Sequence, residues 1–104
     1  MNDYKYIIRK RCLLKINTFY GNVSKKYKHT YSLKLMEQNV HDAVDSMYQI
    51  EKTLLRRKPL LKRWAGFHMA NTKKWYYAYL IVGNTIVVED ACHAQNMRSS
   101  ENRD

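Results

Sequence analysis

Four side chains of this sequence have the chemistry for acid–base cleavage of a phosphodiester. His93 and His68 carry imidazoles that titrate near neutral pH, Tyr76 carries a phenol and Arg63 carries a permanent cation. Metal-free cleavage of RNA needs a base for the 2′-hydroxyl, an acid for the leaving 5′-oxygen and cations for the developing negative charge. We therefore predict these four as candidate catalytic residues. The alternative for each histidine is a surface or hydrogen-bonded structural imidazole.

Basic side chains are concentrated in one segment beside these candidates. The sequence has 19 Lys and Arg against 9 Asp and Glu, a net charge of +10, yet no acidic residue occurs from Lys52 to Lys74. Such an excess usually matches a polyanionic or acidic partner, and interleaved aromatic rings suit single-stranded nucleic acid. The alternatives are a protein with an alkaline surface and rings that belong to the core. The predicted nucleic-acid or partner-binding residues are Lys52, Arg56, Arg57, Lys58, Lys62, Trp64, Lys73, Lys74, Gln95 and Asn96.

Cofactor and metal signatures do not occur in the sequence. There is no GxGxxG, Walker, GxSxG or HExxH motif, and the histidines lack ligand spacing. Cys12 and Cys92 are far apart and form no CxxC pair. We expect no cofactor, no metal site and two reduced, buried cysteines.

Hydrophobic periodicity predicts the elements that would position the candidate residues. Apolar side chains recur at helical spacing in two stretches, Pro59 closes the helical region, and aromatic and β-branched runs follow. Asn71 and Thr72 supply turn chemistry after the first of these runs. The predicted elements are a strand at 4–9, helices at 12–27 and 33–54, and strands at 63–70, 75–82 and 85–91.

The dipeptide Gly83-Asn84 predicts a two-residue hairpin and therefore a register. An undisturbed register places Tyr76 opposite Ala91 and brings His93 to the face of Tyr76. That mixed face is expected to stay partly open. The bulkier face is expected to pack on the helices, and it carries Trp75, Tyr77, Tyr79, Ile81, Ile86, Val88, Asp90 and Cys92.

These elements predict an α+β fold with an N-terminal strand, an antiparallel helical hairpin and a three-stranded antiparallel meander, the helices packed on one face of the sheet. Residues 1–96 are expected to form one domain and residues 97–104 a flexible tail. No apolar run is long enough to cross a bilayer and no signal peptide is evident. We therefore expect a soluble, cytoplasmic protein.

The whole order of elements resembles the RelE/ParE superfamily of bacterial toxins over about residues 4–96. The features that carry this resemblance are the helical hairpin from Leu13 to Leu54, the junction Arg56-Arg57-Lys58-Pro59-Leu60-Leu61, the strand Trp75-Tyr76-Tyr77-Ala78-Tyr79, the Gly83-Asn84 turn and the closing Asp90-Ala91-Cys92-His93.

The resemblance implies a type II toxin that inhibits growth and is neutralised by a cognate antitoxin, with its helices on one face of a twisted antiparallel sheet. RelE-like members cleave mRNA on the ribosome without a metal, and ParE-like members poison DNA gyrase. RelE-like enzymes place an arginine where Tyr76 stands here. We expect ribosome-dependent mRNA cleavage. The alternatives are gyrase inhibition and a non-catalytic basic domain that binds nucleic acid or protein.

Overall fold

A computed structural model describes residues 4–97 as a four-stranded sheet with two helices against one face. This is the α+β architecture that the sequence predicts. The elements are β1 (Lys5–Ile8), α1 (Lys10–Lys26), α2 (Leu33–Met47), β2 (His68–Thr72), β3 (Trp75–Val82) and β4 (Thr85–His93), with 3₁₀ turns at Ile50–Lys52 and Lys62–Trp64.

The strand order is β1-β4-β3-β2, and the sheet is mixed. Strands β2, β3 and β4 form the expected antiparallel meander, whereas β1 pairs in parallel with β4, from Lys5 opposite Thr85 to Ile8 opposite Val88. The purely antiparallel sheet implied by the resemblance is therefore corrected. Because β1 ends its pairing at Val88, the second half of β4 extends beyond it.

The two helices follow the predicted apolar stripes, with different ends. In α1 the stripe buries Cys12, Ile16 and Tyr20. Helix α2 begins at a cap in which the Ser32 hydroxyl accepts a hydrogen bond from the Leu35 amide at 3.1 Å. It ends at Met47, because the chain continues through the 3₁₀ turn that begins at Ile50. The prediction of a helix to residue 54 is wrong. Ile50 is buried in the 3₁₀ turn, so the apolar period continues beyond the end of the helix.

Strand β2 begins later than the sequence indicates. Arg63 lies in a 3₁₀ turn, and the strand covers His68–Thr72, so Asn71 and Thr72 are strand residues. The turn that follows consists of Lys73 and Lys74, and Lys73 takes a positive φ of 55°. The hairpin turn at Gly83 and Asn84 is confirmed, and Gly83 supplies the positive φ of 61°.

A β-bulge changes the register of the β3–β4 hairpin. Near the turn the pairs are the predicted ones, but Tyr79 pairs with Val88 and Ala78 with Asp90, so Glu89 is the extra residue. Beyond it every residue of β4 is displaced by one position, and Tyr76 pairs with Cys92. Asp90 and Cys92 therefore leave the helix-facing side on which they are predicted.

Each face of the sheet has its own hydrophobic core. The helix-facing core includes Trp75, Tyr77, Tyr79, Ile86 and Val88, as predicted, together with Ala91. The opposite face is covered by residues 61–67 around Ala78 and Cys92 and is more closed there than predicted, whereas Leu80 is half-buried and Val82 is 63% exposed nearer the hairpin turn. This second core consists of Leu61, Trp64, Met69, Ala78, Cys92 and Met97, with Phe67 and Tyr76 packed against it.

The C-terminal part of the described chain ends inside the second core. Met97, assigned from sequence to a flexible tail, is only 6% exposed. The remainder of that predicted tail, residues 98–104, lies outside the described residues. Within residues 4–97, no helix is long and apolar enough to cross a membrane.

Candidate functional site

Two concavities meet at the C-terminal end of β4. The smaller has a volume of about 360 Å³ and lies between α1 and the 3₁₀ turn at Lys62–Trp64. The larger has a volume of about 610 Å³ and lies between α1 and the β2–β3 turn. Phe19, Asn22, His93 and Asn96 line both, so the two form one surface depression. We call it the His93 groove.

The imidazole of His93 is held by ring contacts and by the backbone. It stacks on Phe19 at a centroid distance of 4.0 Å and meets Trp75 edge-on at 5.2 Å. The Gln95 amide donates a hydrogen bond to Nδ1 at 3.1 Å. The preceding amide, of Ala94, donates to the Lys74 carbonyl at 2.8 Å and ties this segment to the β2–β3 turn. The orientation of the ring is thereby fixed.

The charge around the His93 groove is positive. Lys15 and Arg63 line the smaller concavity, and Lys26 and Lys74 line the larger. Among the described residues, no Asp or Glu lines either one. Burial lowers the pKa of His93 below its ordinary value, and the nearby charge of Lys74 lowers this pKa further. The imidazole is therefore neutral at physiological pH.

Asp90 connects three elements beside the groove. Its carboxylate accepts hydrogen bonds from Lys15 Nζ at 2.6 Å, from Trp64 Nε1 at 2.9 Å and from the Ala91 amide at 2.9 Å. Burial acts to raise the pKa of Asp90, but these donors outweigh it and the pKa is lowered. The ionised carboxylate therefore ties α1 and the 3₁₀ turn to β4. Because Arg63 belongs to that turn, the same contacts set its position.

The structure brings together two of the four predicted catalytic residues. His93 and Arg63 both line the smaller concavity. Tyr76 packs against the second core on the opposite face, so the predicted grouping of Tyr76 with His93 is wrong. His68 contacts Tyr79 at a ring distance of 5.5 Å. Because Tyr79 is four residues from Trp75 along β3, His68 lies about 13 Å from His93 along the strand direction.

The predicted binding residues separate into two surfaces. Lys74, Gln95 and Asn96 line the His93 groove, Lys73 is the neighbour of Lys74 in the turn, and Lys62 is exposed beside Arg63. The other surface, near the start of β2, carries Arg56, Arg57 and Lys58, and Lys52 is exposed in the 3₁₀ turn that contacts β2. There the Arg56 amide donates to the Tyr79 hydroxyl, and the Arg57 carbonyl accepts from the Met69 amide.

Trp64 is unsuited to the stacking role expected for it. Its ring is 2% exposed and its indole N–H is bound to Asp90, although Arg63 lies over the ring at 5.7 Å. Other aromatic rings line the groove, among them Phe19, which contacts His93, and Tyr27, which is 50% exposed.

Sequence reasoning missed Phe19, Lys15 and Asp90 as parts of the site. The only local signal for Phe19 in the sequence is its place next to the buried Tyr20, off the main apolar stripe of α1. The pairing of Lys15 with Asp90 spans most of the chain and has no sequence signal.

Within residues 4–97, no group of three or more His, Cys, Asp or Glu side chains is arranged to hold a metal ion. Comparison with protein-family models, curated proteins and solved structures yields no match to this chain.

Proposed function

We propose that this chain is the growth-inhibiting toxin of a type II toxin–antitoxin pair, of the RelE/ParE kind, and that it acts on its target through the His93 groove. The observation that carries the proposal is the groove itself. Four cationic side chains and no acidic one line it among the described residues, within the element order that resembles these toxins. A surface of this charge suits the sugar–phosphate backbone of a nucleic acid. The target and the cognate antitoxin would both be cytoplasmic.

The geometry favours a toxin that binds its target over one that cleaves it. Acid–base cleavage needs a proton donor and a proton acceptor on either side of the scissile phosphate. Of the predicted proton-transfer residues, only His93 lies in the groove, because Tyr76 is on the other face and His68 is at a distance along β2. Inhibition of DNA gyrase on its DNA is therefore the better supported mechanism. Ribosome-dependent mRNA cleavage is the second candidate, with His93 and Arg63 as its residues.

Induction of the chain in bacteria tests the proposal. We expect growth arrest, and we expect release from arrest when the partner encoded beside the gene is co-expressed. A gyrase inhibitor induces the DNA-damage response and leaves early transcripts intact. An mRNA-cleaving toxin stops protein synthesis first and produces discrete cuts in translated messages, which primer extension detects. Normal growth with confirmed soluble expression would refute the toxin proposal and leave the plain binding domain.

Two single substitutions connect any toxicity to the groove. Lys74→Glu places a negative charge beside His93, whereas Lys58→Glu makes the same charge change on the exposed surface near the start of β2. We expect the first to reduce toxicity more than the second at equal soluble expression. Equal effects would mean that net charge matters and the groove does not.

A further inference from the structure

We propose that His93 serves the groove as a neutral hydrogen-bond donor, through Nε2–H, to an anionic oxygen of the ligand, and not as a general base. The inference concerns the chemistry of one side chain at the site of the proposed function, and it rests on that function only for the nature of the ligand. The state of the imidazole is a property of the free protein and can be measured without any ligand.

The first argument is the hydrogen bond at Nδ1. A backbone amide can only donate, so the contact from the Gln95 amide requires a lone pair on Nδ1. A neutral imidazole with a lone pair on Nδ1 carries its proton on Nε2. In this tautomer Nε2 donates and has no lone pair with which to accept a proton from a substrate hydroxyl.

The second argument is that the ring cannot readily turn over to exchange its nitrogens. Face-to-face contact with Phe19 and edge-on contact with Trp75 hold the ring plane. The amide that binds Nδ1 is itself held, because the neighbouring Ala94 amide donates to the carbonyl of Lys74. Phe19 from α1, Trp75 and Lys74 from the β2–β3 hairpin and the residues after β4 therefore all contribute to one ring position.

The third argument is charge. The ionic side chains that line the groove are Lys15 and Lys26 from α1, Arg63 from the 3₁₀ turn and Lys74 from the β2–β3 turn. The charge of Lys74 disfavours protonation of the imidazole, whereas the charge of Lys15 is paired with the Asp90 carboxylate beside the groove. These cations and an Nε2–H donor instead converge on a ligand with negatively charged oxygens. A phosphodiester of a nucleic acid strand, with a concavity on either side of His93 for its neighbouring nucleotides, has that chemistry.

Nitrogen-detected NMR of the histidine rings tests the state of His93 in the free protein. We expect a pyrrole-type Nε2 and a pyridine-type Nδ1 from pH 7 to pH 8, above the ordinary histidine pKa of about 6.5. Gln95→Ala keeps the backbone amide and should leave this pattern unchanged. Gln95→Pro removes the amide hydrogen and should give a mixture of tautomers. A proton on Nδ1, or full protonation of the wild-type ring at pH 7, would overturn the proposal.

Binding of a short oligodeoxythymidylate then tests the donor, with inorganic phosphate and oligouridylate as comparison probes. His93→Gln retains an N–H donor near the position of Nε2 but cannot act as a base, whereas His93→Ala removes the donor. We expect His93→Ala to weaken binding of the oligodeoxythymidylate roughly 10- to 100-fold, as for loss of a hydrogen bond to a charged group. His93→Gln should stay within about threefold of wild type, well under one such hydrogen bond.

The same variants separate this inference from the proposed function. If His93→Gln retains toxicity and His93→Ala loses it, the donor role holds for the toxin. If His93→Gln is as inactive as His93→Ala although the NMR spectra show both to be folded, proton transfer by His93 is required and the donor role is wrong. A chain that never arrests growth refutes the toxin proposal alone, because the NMR pattern and the oligonucleotide affinities still decide the role of His93.

Discussion

Replacement of Asp90 should destabilise the protein far more than replacement of its neighbour Glu89. Asp90 is 7% exposed and accepts three hydrogen bonds, including those from Lys15 and Trp64. Glu89 is the extra residue of the bulge, and its ion pair with Arg9, at 3.4 Å, joins side chains that are 54% and 26% exposed. The two acids therefore provide a matched pair on one strand.

The expected cost of Asp90→Ala comes mainly from the indole of Trp64. Its N–H is left in a buried site without an acceptor, which costs about 1–3 kcal/mol. Lys15 also loses its partner, but its side chain is 42% exposed and can be hydrated, so we assign at most about 1 kcal/mol to this loss. We expect a total of about 1–4 kcal/mol for Asp90→Ala. For Glu89→Ala we expect about 0–1 kcal/mol.

Urea unfolding followed by tryptophan fluorescence measures both free energies of unfolding. The pH dependence gives an independent check on the charge of Asp90. Because its folded-state pKa is lowered from 3.8, the stabilisation is fully present above that value and is lost as the pH falls through the lower folded pKa. The stability difference between wild type and Asp90→Asn should therefore shrink below about pH 3.8. A cost for Asp90→Ala no larger than that for Glu89→Ala would refute this account.

The remaining predictions concern the backbone, the thiols and the basic surface. Gly21→Ala in α1 should stabilise the protein by up to about 1 kcal/mol, because a Cβ there meets no atom within 4 Å. Gly83→Ala should destabilise it by about 1 kcal/mol, because φ at this residue is 61°. Urea unfolding measures the change in the free energy of unfolding for both variants. Burial raises the pKa of Cys12 to about 12, so this thiol should resist a disulfide reagent at pH 8 in the native protein and react rapidly in urea. Reversing the charges at the start of β2 should slow association with the antitoxin and flatten its salt dependence; an unchanged rate at low salt would place the antitoxin elsewhere. The three residues to reverse together are Arg56, Arg57 and Lys58.

The best predicted part of the fold is the part specified by local chemistry. The Gly83-Asn84 turn joins β3 to β4 and fixes where β3 ends and β4 begins. Strand β3 has the predicted bounds. The apolar stripe of α1 is also local, because side chains three and four residues apart share a face. The predicted ends of elements are wrong where the apolar pattern continues from a helix into a 3₁₀ turn, as at Ile50. They are also wrong where apolar and polar residues alternate without forming a strand, as at Arg63.

The candidate site was only partly predictable because its face assignment depends on one inserted residue. Up to Val88 the side chains of β4 lie on the predicted faces of the sheet. After the bulge at Glu89, each side chain of β4 lies on the face opposite to the predicted one. This change of face separates Tyr76 from His93 and places Asp90 within reach of Trp64. Nothing in the run from Glu89 to His93 specifies a bulge, since the partners that accommodate it come from α1 and the 3₁₀ turn.

The sequence by itself determined the element order, the helix-facing stripe and the excess of positive charge. These depend on the period of side chains along the chain, on turn residues and on composition. Tertiary structure decided the parallel pairing of β1 with β4, the cover over the second face and the meeting of Phe19 with His93. Each of these brings together residues far apart in sequence. The free energy that fixes them comes from burial and from paired donors and acceptors that exist only once the chain has folded.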